Sequence, residues 1–85
     1  MNKYHEICKK YARKLDNGFY TVDLDGFSEA CFNQNSETEL MDVLNGEPNQ
    51  SDCDAWNITK DEWRECIERA LAAKIISDND DQLPQ

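Results

Sequence analysis

Between Leu15 and Thr59 the chain contains no lysine and no arginine, although ten aspartates and glutamates fall in that stretch. At average composition, with about a quarter of residues charged, a segment of this length would carry about five bases. The whole sequence has 18 acids against 9 bases, a formal net charge of −9. A field of that sign repels phosphate backbones and anionic headgroups, which excludes free DNA, free RNA and membrane surfaces as preferred ligands.

Long apolar runs are also missing. No window approaches the roughly 18 apolar residues that a membrane-spanning helix requires. The opening MNKYHEICKKYARKL interleaves charge with Tyr4 and Ile7, where a signal peptide would have an apolar centre. A soluble, cytoplasmic protein is therefore expected. Glycine is scarce and confined to turns, so the sequence has no nucleotide-binding fingerprint. His5 is the sole histidine. It lies off the apolar stripe of its helix, and no neighbouring acid is placed to orient a Cys–His pair with Cys8. Cys8, Cys31, Cys53 and Cys66 are 23, 22 and 13 residues apart, far wider than the close Cys pairs of a zinc site. Reduced, partly buried thiols are expected. Asp23-Leu24-Asp25-Gly26 hints at a calcium loop. Aligning Gly26 with that loop's invariant glycine leaves Thr21 and Phe32 where its first and last carboxylates belong. No metal, no cofactor and no catalytic group is expected, and the chain is not read as an enzyme.

What is present is helix punctuation. Eighty-five residues make one small domain, and 39% hydrophobic composition, against about 45–50% in typical domains, implies a thin core. Thr59 and Glu62 form a capping-box pattern, with Ile58 and Trp63 placed as a hydrophobic staple. From there Trp63, Cys66, Ile67, Ala70, Leu71 and Ile75 recur at helical spacing, which predicts a helix to Ile76 and places Trp63 in the core. Tyr4, Ile7, Cys8, Tyr11, Ala12 and Leu15 predict an N-terminal helix from Lys3 to Leu15, stopped at Asp16-Asn17-Gly18. Ser36 with Glu39 predicts a third helix over 36–46. A further helical turn is expected from Ser51 to Trp56. Asn57-Ile58-Thr59 fits a glycosylation sequon but is read as a loop and cap.

Residues 19–32 admit two readings. Tyr20, Val22 and Leu24 alternate with Thr21, Asp23 and Asp25 like a strand, and Asp25-Gly26 could turn a β-hairpin returning through Phe32. Alternatively Asp25 caps a short helix after the strand, and the poor strand propensity of Ser-Glu-Ala-Cys tilts slightly toward this. The expected fold is a mainly α, single-domain bundle of three to four helices over residues 1–76, with room for one short strand or hairpin. The acidic, patternless residues 77–85 are expected to be a flexible tail.

The charge distribution carries the functional expectation. Residues 1–14 hold five bases and one acid, residues 60–76 hold four of each, and 77–85 add three acids. Carboxylates drawn from the base-free stretch could present one outward field to a basic partner, offering Arg and Lys the charge-assisted bonds that phosphates offer. Such a surface could fill a groove built for a nucleic-acid backbone. The chain is similar in size and charge to the small acidic inhibitors of phages and other mobile elements that imitate nucleic acid, a likeness of composition. The candidate partner-binding residues are Asp23, Asp25, Glu29, Glu37, Glu39, Asp42, Glu47, Asp52 and Asp54, with Trp56 as an aromatic anchor outside the long helix. The expected partner is a basic, nucleic-acid-binding protein. A second reading is a structural or oligomerisation adapter, including a homodimer, that uses apolar helix surface and keeps its charge for solubility.

Overall fold

The C-terminal helix organises the molecule because its second half is apolar almost all the way round. In the computed structural model, which describes residues 3–84, this helix runs from Lys60 to Asp78. Trp63, Ile67, Ala70, Leu71 and Ile75 are buried as the stripe requires, and Ala72 and Ile76 are buried on the opposite side. A helix buried round its circumference must be wrapped by several neighbours.

Among the described residues the chain order is α1 (Lys3–Tyr11), β1 (Arg13–Lys14), β2 (Tyr20–Thr21), α2 (Gly26–Gln34), α3 (Glu37–Leu44), α4 (Gln50–Trp56) and α5 (Lys60–Asp78). Helices α1, α2 and α3 each pack along α5, and α4 rests on it more lightly. The core gathers Cys8 from α1, Val22 after β2, Phe27 and Cys31 from α2, Leu40 and Leu44 from α3 and Cys53 from α4 around the α5 residues. Each large side chain buried in this way contributes about 1.5–3 kcal/mol relative to exposure. No helix among the described residues is long and apolar enough to cross a membrane.

The capping boxes form as their sequences predict. The amide of Glu39 donates to Ser36 Oγ at 3.2 Å while that of Ser36 donates to Glu39 Oε1 at 2.8 Å. The amide of Glu62 donates to Thr59 Oγ1 at 3.1 Å, and that of Thr59 to Glu62 Oε1 at 2.9 Å. Helix α4 starts one residue earlier than expected, because Asn49, not Ser51, caps it by accepting from the Asp52 amide at 3.2 Å.

Two expectations are corrected. The N-terminal helix ends at Tyr11 instead of Leu15, and Arg13 and Lys14 leave it to pair antiparallel with Thr21 and Tyr20. Asp16-Asn17-Gly18 is therefore the turn of a β-hairpin and not a helix stop. Asn17 Oδ1 accepts from the Phe19 amide at 3.0 Å, and Gly18 takes φ +88°. Tertiary bonds favour this over another helical turn. The Tyr20 amide donates to the Asp81 carbonyl at 2.7 Å, and Arg13 Nη2 meets Asp23 Oδ1 at 3.0 Å.

Of the two readings of residues 19–32, the hairpin at Asp25-Gly26 does not form. Asp25 precedes α2, where its amide donates to Ser28 Oγ at 2.9 Å and its carbonyl accepts from that hydroxyl at 2.6 Å. The strand-then-helix alternative for residues 19–32 is the observed one. The second correction concerns the end of α5, which includes Ser77 and Asp78. The chain then closes in a Schellman turn, with the Asp81 amide on the Ile76 carbonyl at 2.9 Å and that of Asp80 on Ser77 at 3.3 Å. Asp80 supplies the left-handed residue at φ 56°.

Candidate partner-binding surface

Trp56 is the last residue of α4, and Asn57 follows it in the left-handed region at φ 54°. This reversal lets the chain turn from α4 into α5 and leaves the indole standing at the corner. Cys53, one turn earlier, is buried and anchors α4 to the core. Trp56 itself stays 44% exposed. Its ring rests on Phe27 in the first turn of α2, centroids 5.6 Å apart and planes tilted by 54°. The geometry is an edge-leaning aromatic pair, which holds an exposed indole in one orientation.

This aromatic ridge separates two clefts. One, of about 370 Å³, lies between α2 and the N-terminal part of α5, with Asp25, Trp56, Ile58, Glu62, Glu65 and Cys66 in its walls. The other, of about 240 Å³, lies among α2, α3 and α4 and is bordered by Ala30, Gln34, Leu40, Val43, Asp52 and Trp56. Asp52 and Trp56 are four residues apart on α4 and so share a face. Val43 is also exposed, which extends the apolar surface of the second cleft.

The electrostatics of the first cleft are negative. Its cation is Arg69, whose Nη2 lies 2.9 Å from Glu65 and whose Nη1 lies 3.8 Å from Asp25. The guanidinium also sits over the Tyr11 ring at 5.6 Å. Three carboxylates thus face one guanidinium that is already engaged. In the second cleft Asp52 Oδ2 accepts from the buried Trp63 indole at 3.3 Å, which ties the acid's position to the core.

The remaining candidates are placed elsewhere. Asp23 is bound by Arg13, which holds its carboxyl below the usual carboxylate range. Glu39 is committed to its capping box, and the Ser36 amide lowers its pKa in the same way. Glu37 has the carboxyl of Asp78 as its neighbour, and that acid together with burial raises its pKa. Asp54 accepts from Gln50 Nε2 at 2.8 Å, while Glu29, Asp42 and Glu47 are exposed. Of the ten acids in the base-free stretch, two lie within ion-pair distance of an arginine, and the other eight form no ion pair among the described residues. Asp25, Asp52 and Trp56 are the candidates brought to the ridge and its clefts.

Glu62 and Glu65 were absent from the sequence-based candidate set. Both fall outside the base-free stretch, in a segment whose charges cancel. Their signal lay in helical phase: Glu62, Cys66 and Arg69 recur at i, i+4 and i+7 beside the Trp63 stripe.

The thiols are quiet chemically. Burial raises Cys8 and Cys31 to about 11, with Glu37 adding to the first and Cys66 and Asp52 to the second. Cys66 is raised as well, again mainly by burial. Thiols so shifted remain protonated at neutral pH and are poor nucleophiles. All four cysteines are free, and no cluster suited to a metal ion occurs among the described residues. In comparisons with known protein families, curated proteins and solved structures, nothing matches this chain.

Proposed function

We propose that this protein is a non-enzymatic binding module for a basic protein surface. In its most concrete form it inhibits a nucleic-acid-handling protein by seating its acidic face where a phosphate backbone would lie. The observation that carries the reading is Trp56, held half-exposed on Phe27 between two clefts that have carboxylates in their walls. A rigid aromatic next to desolvated pockets is the usual form of a binding hot spot. Carboxylates beside it select for Lys and Arg and would raise the rate of encounter at low salt. The eight acids without an ion-pair partner widen that field.

The test uses Lys/Arg-rich peptides containing one apolar or aromatic residue, followed by Trp56 emission and by calorimetry at low salt and at about 0.5 M salt. Binding should weaken with salt. It should also weaken in Asp25→Asn, which keeps a competent helix cap, and in Trp56→Ala. Binding that ignores salt and both substitutions would sink the proposal.

The exposed Val43 in the second cleft favours the adapter as a second reading. Association through that surface alone should persist or strengthen in high salt.

A further inference from the structure

Arg69 stands in the wall of the Trp56 cleft, and its contacts are unequal. Two of them hold it in place. Its Nη2 lies 2.9 Å from Glu65, one turn back on α5, and its guanidinium sits over the Tyr11 ring of α1 at 5.6 Å. The third crosses to the start of α2, where Nη1 lies 3.8 Å from Asp25 Oδ1, beyond hydrogen-bonding reach. The Asp25 side chain is 89% exposed, and an ion pair that long and that solvated adds little stability. Arg69 can therefore release Asp25 without losing its seat on Glu65 and Tyr11.

The other charges around this point have partners of their own. Arg13 takes Asp23 through two hydrogen bonds of 3.0 and 3.2 Å, and Glu68 accepts from the Tyr11 hydroxyl at 2.9 Å. Lys10 lies over the Tyr11 ring at 5.2 Å, and Glu62 gives one oxygen to the Thr59 amide. Asp25 forms no ion pair but the long one to Arg69 among the described residues. A cationic side chain that settles beside Trp56 thus meets Asp25 and Arg69 together, one attracting it and the other repelling it. We infer that Arg69 is a built-in competitor for the Trp56 cleft: it partly neutralises Asp25 in the free protein and gives it up to the lysine or arginine of a partner. This rests on the reading of the cleft given above, and it names the residue that limits the affinity of that site.

Calorimetric titration of the full chain with a Lys/Arg-rich peptide carrying one aromatic residue, at low salt, tests this. Arg69→Gln should bind the peptide about threefold more tightly or better, the effect of removing one unit charge within several ångströms of the guest at water-like dielectric. Lys74→Gln removes the same charge from a lysine that lies over Phe32 at 4.3 Å, outside the cleft walls, and should gain less. In an Asp25→Asn background the gain from Arg69→Gln should shrink, because the carboxylate competed for is gone, whereas a purely structural loss would leave the two substitutions additive. Circular dichroism checks that the helices are retained. Should Arg69→Gln unfold, Arg69→Met keeps the apolar stem against Tyr11, and in the wild type the Arg69 Nε–H nuclear magnetic resonance signal should move as peptide is added. Peptide that binds the wild type and the Arg69 variant equally, a Lys74→Gln gain as large, or an Arg69 signal that stays fixed at saturation overturns this inference and leaves the proposed function standing. Tighter binding by Arg69→Gln that Trp56→Ala leaves unchanged overturns the reading of the cleft, and peptide bound by neither wild type nor variant overturns both.

Discussion

Glu37, at the start of α3, has the carboxyl of Asp78, at the end of α5, as its neighbour, and that acid together with burial raises its pKa. Two neighbouring acids cannot both ionise without repulsion, so Glu37 retains its proton more readily than a lone glutamate. Because the pKa of Glu37 is raised in the folded state, its contribution to stability is fully present below the ordinary glutamate pKa. That contribution is lost as pH rises through the shifted value.

Glu37→Gln should therefore stabilise the protein near pH 7 and flatten its stability between pH 4 and 7. The gain should be at most about 1 kcal/mol, since solvent screens the pair. Urea unfolding at several pH values measures this. A variant whose stability curve parallels the wild type would show that the contact carries no linkage.

The two tryptophans should behave oppositely. Trp63 is 1% exposed, and Trp63→Ala should cost about 3–5 kcal/mol, enough to unfold a domain of this size. Trp56→Ala removes a half-exposed ring and should cost about 1 kcal/mol while reducing partner binding. Thermal unfolding together with peptide titration separates the roles, and a Trp56 variant that unfolds at room temperature would reassign that residue to the core.

Cys66 lies partly exposed in the wall of the Trp56 cleft, whereas Cys8, Cys31 and Cys53 are buried. A thiol reagent applied to the native protein should label Cys66 first, and slowly, because burial raises its pKa. A bound basic peptide should slow that labelling further. Equal labelling with and without peptide would place the peptide elsewhere.

Gly18 is held at φ +88° with nothing within 4 Å of an added Cβ. Gly18→Ala should thus cost about 1 kcal/mol through backbone strain and not through a clash. Ser36→Ala and Thr59→Ala should each cost about 1 kcal/mol by removing an N-cap. Denaturant midpoints check all three, and a neutral Gly18→Ala would mean that the hairpin turn relaxes freely.

The amino-acid sequence by itself determined the helix starts at Ser36 and Thr59, the burial of Trp63 and the need to cover the apolar stripe of α5. These rest on interactions within a few residues, where spacing alone decides which groups meet. It determined the charge imbalance too, because composition needs no coordinates. Tertiary structure alone decided that Arg13 and Lys14 leave α1 for a hairpin, since Asp23 reaches Arg13, and the Asp81 carbonyl reaches Tyr20 on the paired strand, only after folding. It also decided which acids gather beside Trp56. Asp25 and Glu65 lie 40 residues apart in sequence and meet at Arg69 because α2 packs on α5. Long-range contacts of this kind depend on how whole helices dock, and local pattern has no access to that.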